Sequence, residues 1–474
     1  MTENADEVSL IDLIAFVKSA RRRNPERDEE AEYNDGTQNA LYTDTNKGRV
    51  HLIIYAFIAL SLVQFGNRDV CATAVYQLED RFEVYVSRND GPDDRFRQVT
   101  DELVCLIRDT ATNTKPDKGK FIRHYFDLIR RHCGGKLKSR ISALQSELTK
   151  HTGRIGKFVI PSLPLLKERI TNYGASDPPK FHMSWGDAKA ASLSPKGNLY
   201  DGLLLALAKV ERSAVDPTST VNYVNLSRQC SVVGESTYVR SLNQHPELYD
   251  LIENIKKVGQ YYRGARYLFD RIIDPKYQSR FKNITVHMVD SPDRIKHRPP
   301  ETDWYALLSR IEQNRTGSAI TISKGRFQAE YGGIVNYEKK QEYTPHCECN
   351  LVSQLISRNI APTTLGTSKL CCELCSVWID GVNDYLGKLG ETRRWTVGST
   401  RGKIYFWEPP QSTSPAVMAG NAAVRVYLLK KVRIMVDNCK QLEVLESPSE
   451  MDALSVPPDS PFLDYTEDVM EETG

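Results

Sequence analysis

His346-Cys347-Glu348, followed about two dozen residues later by Cys372-Glu373-Leu374-Cys375, is the stretch on which the reading of this chain turns. His346, Cys372 and Cys375 offer one nitrogen and two sulfurs. Three protein ligands with the fourth tetrahedral position left for water make a catalytic zinc site rather than a structural one. Water activated in this way still needs a neighbour that takes its proton and returns it to a leaving group. Glu348, two residues from the histidine, is placed for that work and is the candidate catalytic residue.

Local periodicity puts these groups on helices. After Pro345, residues Leu351, Val352, Leu355 and Ile356 recur at helical spacing, so His346 and Glu348 fall at the start of a buried helix that ends before Pro362. Thr363-Thr364-Leu365-Gly366 reads as a short strand. Ser368 is a candidate cap for a second helix whose apolar face carries Leu374, Val377, Trp378, Val382 and Tyr385. Cys372 and Cys375 then lie three apart on one face of its first turn. Two helix starts converge on the metal, and their positive dipole ends favour thiolate over thiol.

These motifs resemble a known family. His346-x-Glu348, the run Leu365-Gly366-Thr367-Ser368-Lys369, the pair Cys372-x-x-Cys375 and the run Gly402-Lys403-Ile404-Tyr405-Phe406-Trp407-Glu408-Pro409 look like the zinc-dependent deaminase superfamily. Within it they are most similar to the toxin-related nucleic-acid and nucleotide deaminases common in fungi. The resemblance covers roughly residues 300 to 445. It implies a cytidine-deaminase-like three-layer α/β/α domain, zinc as cofactor, and a nucleobase-containing substrate, free or within RNA or DNA. Two positions depart from the pattern: Cys371 stands where the superfamily has proline or a small residue, and Arg401 where the fungal group has histidine.

The same run carries more sulfur than one catalytic site uses. Cys347, Cys349, Cys371, Cys372 and Cys375 allow a closed structural zinc site of four cysteines, or of three with His346. Glu348 separates the two readings, because a structural site has no use for it.

A length of 474 residues suggests about three domains, and 40% apolar with 26% charged residues is ordinary globular composition. Five of the ten cysteines crowd into one stretch while Cys71, Cys105, Cys133, Cys230 and Cys439 are scattered. That pattern reads as a metal site plus buried thiols in a reducing compartment, expected to be cytoplasmic or nuclear, and nothing in it suggests a secreted disulfide framework. The polar residues 1 to 48 hold no targeting signal. Leu52 to Val63 is apolar but too short to span a bilayer, and reads as a buried core helix, with no membrane partner expected.

Three regions follow along the chain. Residues 1–300 read as a mostly helical N-terminal region, from apolar periodicity at Leu10 to Val17, Leu52 to Val63, Phe121 to Ile129, Leu203 to Leu207 and Tyr261 to Ile272. The basic clusters Arg21-Arg22-Arg23, Arg130-Arg131-His132 and Lys136 to Arg140 are solvated faces or nucleic-acid contacts. Residues 301–445 read as the zinc domain. Ser318 to Ser323 and Gly332 to Tyr337 are its expected first strands, and a long helix from Ala422 to Leu445 closes it. Trp395 to Gly398 and Lys403 to Trp407, joined by Ser399 to Gly402, are expected to pair as an antiparallel hairpin, because the loop is too short for a crossover. Residues 446–474 hold nine acidic residues, no lysine or arginine and four prolines, the composition of a disordered tail. Whole-chain charge of +2 therefore hides a basic body: 63 Lys and Arg stand against 52 acids up to residue 445, a net +11.

The expectation is a zinc-dependent hydrolytic nucleobase deaminase, with Tyr405, Phe406 and Trp407 as core aromatics or base-stacking surface. The alternative is a catalytically silent binding or regulatory protein that keeps the deaminase fold as a zinc-stabilised scaffold; a third is an effector in which the helical part gates a toxic deaminase.

Overall fold

The computed structural model describes residues 9–20, 58–59, 61–62, 70–151, 212–214, 219–235, 248–291, 295–297, 303–317, 320–331, 341–343, 345–369, 371–398 and 404–445. The chain runs through helix α1 (Leu10–Ser19), strands β1 (Cys71–Gln77) and β2 (Phe82–Arg88), and helices α2 (Asp94–Thr112), α3 (Lys118–His151), α4 (Thr220–Glu235), α5 (Tyr249–Ile272) and α6 (Pro275–Lys282). Strands β3 (Thr285–Val289) and β4 (Ile295–His297), helices α7 (Trp304–Thr316) and α8 (Lys324–Glu330), and strand β5 (Gln341–Tyr343) follow. Helix α9 (Cys347–Ser357), strand β6 (Thr364–Thr367), helix α10 (Glu373–Lys388), strand β7 (Thr396–Val397) and helix α11 (Pro415–Leu445) complete it.

Five strands form one mixed sheet in the order β3-β2-β1-β6-β7. The β1–β2 pair is an antiparallel hairpin with Val75 opposite Val84, closed by the Leu78 N–H bonding to the Arg81 carbonyl at 3.0 Å. On its other side β1 meets β6 antiparallel, Ala72 opposite Thr367. The outer pairs β2–β3 and β6–β7 are parallel. A parallel neighbour needs a crossover, and α10 supplies it between β6 and β7. The separate β4–β5 pair is antiparallel.

Side chains alternate across the pleat, and that alternation divides the core. Cys71, Val75, Phe82, Val84 and Val86 point into one hydrophobic cluster with Phe96, Leu103, Phe126, Val233, Ile255 and Leu268 of α2 to α5. Ala72, Ala74 and Tyr85 point the other way, into a cluster with Leu351, Leu355, Leu374, Trp378, Val424 and Leu428 of α9 to α11. The sheet is thus the middle of three layers. Small residues at 72 and 74 leave room for α9 to lie directly on β1 and β2. In the outer layer α10 and α11 approach closely, since a Cβ on Gly420 would stand 2.6 Å from Trp378 Nε1.

The α/β/α layering with a large helical region is the expected fold class, but its strands come from unexpected places. Three of the five precede residue 300, so the sheet is assembled across the boundary that sequence patterning places there. Residues 320–323 are no strand: Ser323 caps α8 by accepting from the Arg326 N–H, and capping overrides the β-branched composition. Residues 404–407 are no strand either, so the antiparallel hairpin with Trp395 to Gly398 is not formed by the described residues. Asn383 takes both backbone groups of Trp395, at 2.8 Å each, and leaves only two residues for β7. The closing helix begins at Pro415, earlier than expected. Arg21 to Arg23, Leu203 to Leu207, Gly332 to Tyr337, Arg401 to Lys403 and the acidic tail lie outside the described residues. Of Leu52 to Val63, residues Ile58, Ala59 and Leu62 are described and buried in the first cluster. Among the described residues no helix is long and apolar enough to cross a membrane.

Candidate active site

His346 and Cys372 occupy equivalent positions: each is the N-cap of its helix, His346 of α9 and Cys372 of α10. Cys372 Sγ accepts the Cys375 N–H at 3.3 Å as a capping bond, whereas the His346 side chain makes no capping bond and lies against Cys375. Cys375, in the first turn of α10, completes the set. His346 Nδ1 lies 3.1 Å from Cys375 Sγ, and the Cys372 and Cys375 sulfurs are 3.1 Å apart. All three ligand atoms fall within 4.8 Å of one another, a group that can hold a metal ion. The same imidazole ring donates to the Phe406 carbonyl, which orients it.

The electrostatics suit a cation. Burial alone would raise the Cys372 thiol, but hydrogen bonds from Cys375 and from the His346 ring pull it well below its ordinary value. Burial and three neighbouring thiols push Cys375 up instead. A positive charge at the set would favour the thiolate form of both cysteines. Burial works against a charged His346, yet the adjoining Cys372 thiolate outweighs it and raises its pKa. One imidazole and two thiols fit the donor chemistry of zinc.

Glu348, in the first turn of α9, is 3% exposed and lies outside the donor set. Burial raises its pKa, opposed by the charge of His346. Its carboxylate accepts from its own backbone N–H and has Cys347 Sγ at 3.5 Å from Oε2. The remaining thiols surround the set. Cys349 is pushed up to about 11 by burial and hydrogen-bonds Cys375. Cys371 also bonds Cys375, which lowers it, but burial holds it at about 12. Both are protonated, neutral neighbours.

Several supporting residues escaped sequence analysis. Because His346 is turned to the donor set, it makes no capping bond of its own, and Asn89 supplies one: its Oδ1 accepts the Cys347 N–H at 2.8 Å. Asn350 donates to Ser87 Oγ at 3.1 Å and to the Asp290 carbonyl at 2.9 Å, fastening α9 to the ends of β2 and β3. Ser368 does not cap α10, a role Cys372 itself fills; it pairs with Cys71, accepting the Cys71 N–H at 3.0 Å. Asn is a common turn residue, but no local signal in Asn89-Asp90-Gly91 points to Cys347, 258 positions away.

Of the three aromatics after residue 404, Trp407 is fully buried, whereas Tyr405 and Phe406 are partly exposed. The Tyr405 ring lies 6.5 Å from the His346 ring. In the basic cluster Arg130-Arg131-His132 the two arginines are exposed and His132 is buried. Arg131 and His132 pair with Glu102 at 2.7 and 3.0 Å, and Arg130 bonds Thr220.

The layered fold and this donor set are similar to a deaminase domain of the cytidine-deaminase-like type. Residues 345–411, which include the three donors, Glu348 and the 404–410 segment, match the profile of a family described as OTT_1508-like deaminase. No curated protein and no solved structure matches the chain. The similarity rests on that match and on the fold, since the expected hairpin is not formed by the described residues.

Proposed function

We propose that the chain is a zinc-dependent hydrolytic deaminase of a nucleobase, carried by a nucleoside, a nucleotide or a nucleic acid. The observation that carries this is Glu348: a buried carboxylate beside a three-donor set, with no salt bridge among the described residues to explain it. His346, Cys372 and Cys375 would hold zinc. Bound there, zinc supplies Lewis acidity that brings a water ligand's pKa toward neutrality. Glu348 would take one proton from the attacking water on a carboxylate oxygen and deliver it to the ring nitrogen, then take the second from the hydroxyl added to the ring carbon and deliver it to the amine, which leaves as ammonia when the C–N bond breaks. Its raised pKa suits both halves of that shuttle. The Phe406 carbonyl and Asn89 hold the imidazole and the first turn of α9 in place. The zinc domain of residues 301–445 is not self-sufficient in this reading, since β1, β2 and Asn89 lie far upstream.

Cys349 and Cys371, both bonded to Cys375, favour a second reading in which four protein ligands close the site and the protein is a silent scaffold. Incubating zinc-loaded protein with cytosine, adenine and guanine nucleosides, nucleotides and single-stranded oligonucleotides separates the two. Deamination predicts ammonia together with an oxo-for-amino product from one base. Zinc-replete protein that releases no ammonia from any of them would leave the scaffold.

A further inference from the structure

Helix α11 has two unlike sides. Val424, Leu428, Val432 and Val436 are buried in the cluster that holds Trp378. Met418, Ala422, Val426, Lys430 and Ile434 are all exposed. Residues four apart line up as one ridge of a helix, the surface through which helices pack. This ridge is apolar except for Lys430. It carries three of the six large apolar side chains exposed among the described residues, Met418 at 47%, Val426 at 67% and Ile434 at 46%.

Cations flank the ridge. Up to residue 440, α11 holds Arg425, Lys430, Lys431, Arg433 and Lys440 against one acid, Asp437. Lys431 and Lys440 reach Glu373 and Glu312 on other helices, at 3.7 and 3.2 Å. Arg433 meets Asp437 at 3.6 Å, an exposed pair of little worth. An occupant of this ridge needs negative charge together with apolar side chains of its own. A second copy of α11 lacks the first, because it would set these cations against their counterparts.

The segment that follows α11 has both. Residues 446–474 hold nine acids and no lysine or arginine, interspersed with Met451, Leu454, Phe462, Leu463 and Met470. From Leu445 back to Val426 is 19 residues of helix, about 28 Å at a rise of about 1.5 Å per residue. About nine extended residues cover that distance, so 29 residues are ample for the whole ridge.

We propose that residues 446–474 fold back along α11 and dock on the ridge from Met418 to Ile434, with carboxylates on Lys430 and Arg433 and apolar side chains against Val426 and Ile434. The segment is tethered to the helix it covers, so docking is intramolecular and individually weak contacts suffice. None of this depends on the deaminase reading.

Lysine footprinting of the full-length protein tests it. Acetylation of Lys430 by an activated ester is followed by mass spectrometry in wild type and in a full-length variant with every Asp→Asn and Glu→Gln change from residue 446 to 474. The Lys430 rate rises about fivefold or more in the variant, the worth of a few exposed ion pairs, while Lys388, exposed at the end of α10, reacts alike in both. Val426→Ser leaves every charge in place and also raises the Lys430 rate. Carbodiimide coupling, which joins an amine to a touching carboxylate with loss of water, links Lys430 to residues 446–474 of the same chain. Equal Lys430 rates in wild type and the neutralised variant overturn the proposal, as does a rate unmoved by Val426→Ser or the lack of any link to the segment. Links that join only different copies also overturn it, and make a second chain the occupant.

Discussion

Replacing Glu348 by glutamine isolates proton transfer from everything else the residue does. The two side chains are of equal size, so no cavity opens at a position 3% exposed. The charge itself contributes little to the fold. A carboxylate in a first turn is worth at most about 1 kcal/mol through the helix dipole, and here burial already disfavours the charged form. Stability should therefore move by no more than about 1 kcal/mol in either direction. Turnover is different, because a positioned general acid–base contributes about 10² to 10⁴ in rate, or roughly 3 to 5 kcal/mol of barrier. Zinc content, thermal melting and initial rates of ammonia release, measured side by side on wild type, Glu348→Gln and Glu348→Ala, resolve the two scales. Zinc and melting should hold while the rate falls by at least about a hundredfold. Full activity in Glu348→Gln would defeat the shuttle, and loss of zinc would make Glu348 a ligand.

Three further outcomes follow from the geometry. Cys372→Ser with Cys375→Ser should abolish metal content by atomic absorption while Cys347→Ala and Cys349→Ala keep one zinc per chain; zinc lost on Cys349→Ala would favour the closed site. Asn89→Ala removes the bond to the Cys347 N–H and should cost about 1 kcal/mol in denaturant unfolding, the usual worth of a cap; an unchanged midpoint would show that α9 needs no external cap. Glu312, nearly buried, is held below the ordinary carboxylate range, first by Arg315 and also by Lys440 from α11, at 2.8 and 3.2 Å. A depressed folded pKa stabilises above the unfolded value of about 4.3 and is lost as pH falls through the folded pKa. Wild type should therefore lose its stability advantage over Glu312→Gln on acidification below that range, and an advantage independent of pH would refute the ion-pair assignment.

The site was legible because its donors are local. His346 and Cys372 each begin a helix whose apolar periodicity is plain in sequence, although the cap of the second helix is Cys372 itself and not Ser368. The sheet was less legible. Phe82, Val84 and Val86 do alternate in the β2 sequence, but the hairpin sits among long helical patterns and finds its partner β6 almost 300 residues later, a pairing no local signal encodes. Residues 320–323 have strand composition, yet Ser323 serves as a cap and the Ile322 carbonyl accepts from the Tyr305 hydroxyl. Residues 404–407 look like half of a hairpin, but the Phe406 carbonyl is taken by His346 and Trp407 is fully buried. In each case a tertiary hydrogen bond removed a backbone group from the ladder that composition suggested.

The central claim is that zinc at His346, Cys372 and Cys375 makes this chain a deaminase. Stripping the protein with a chelator and restoring zinc stepwise, with ammonia release followed on the preferred base, tests it most directly. The expected result is activity that is absent without metal, rises in proportion to zinc and saturates at one equivalent per chain. One zinc bound per chain with no ammonia at any point of the titration would contradict it, as would ammonia release undiminished in the stripped protein.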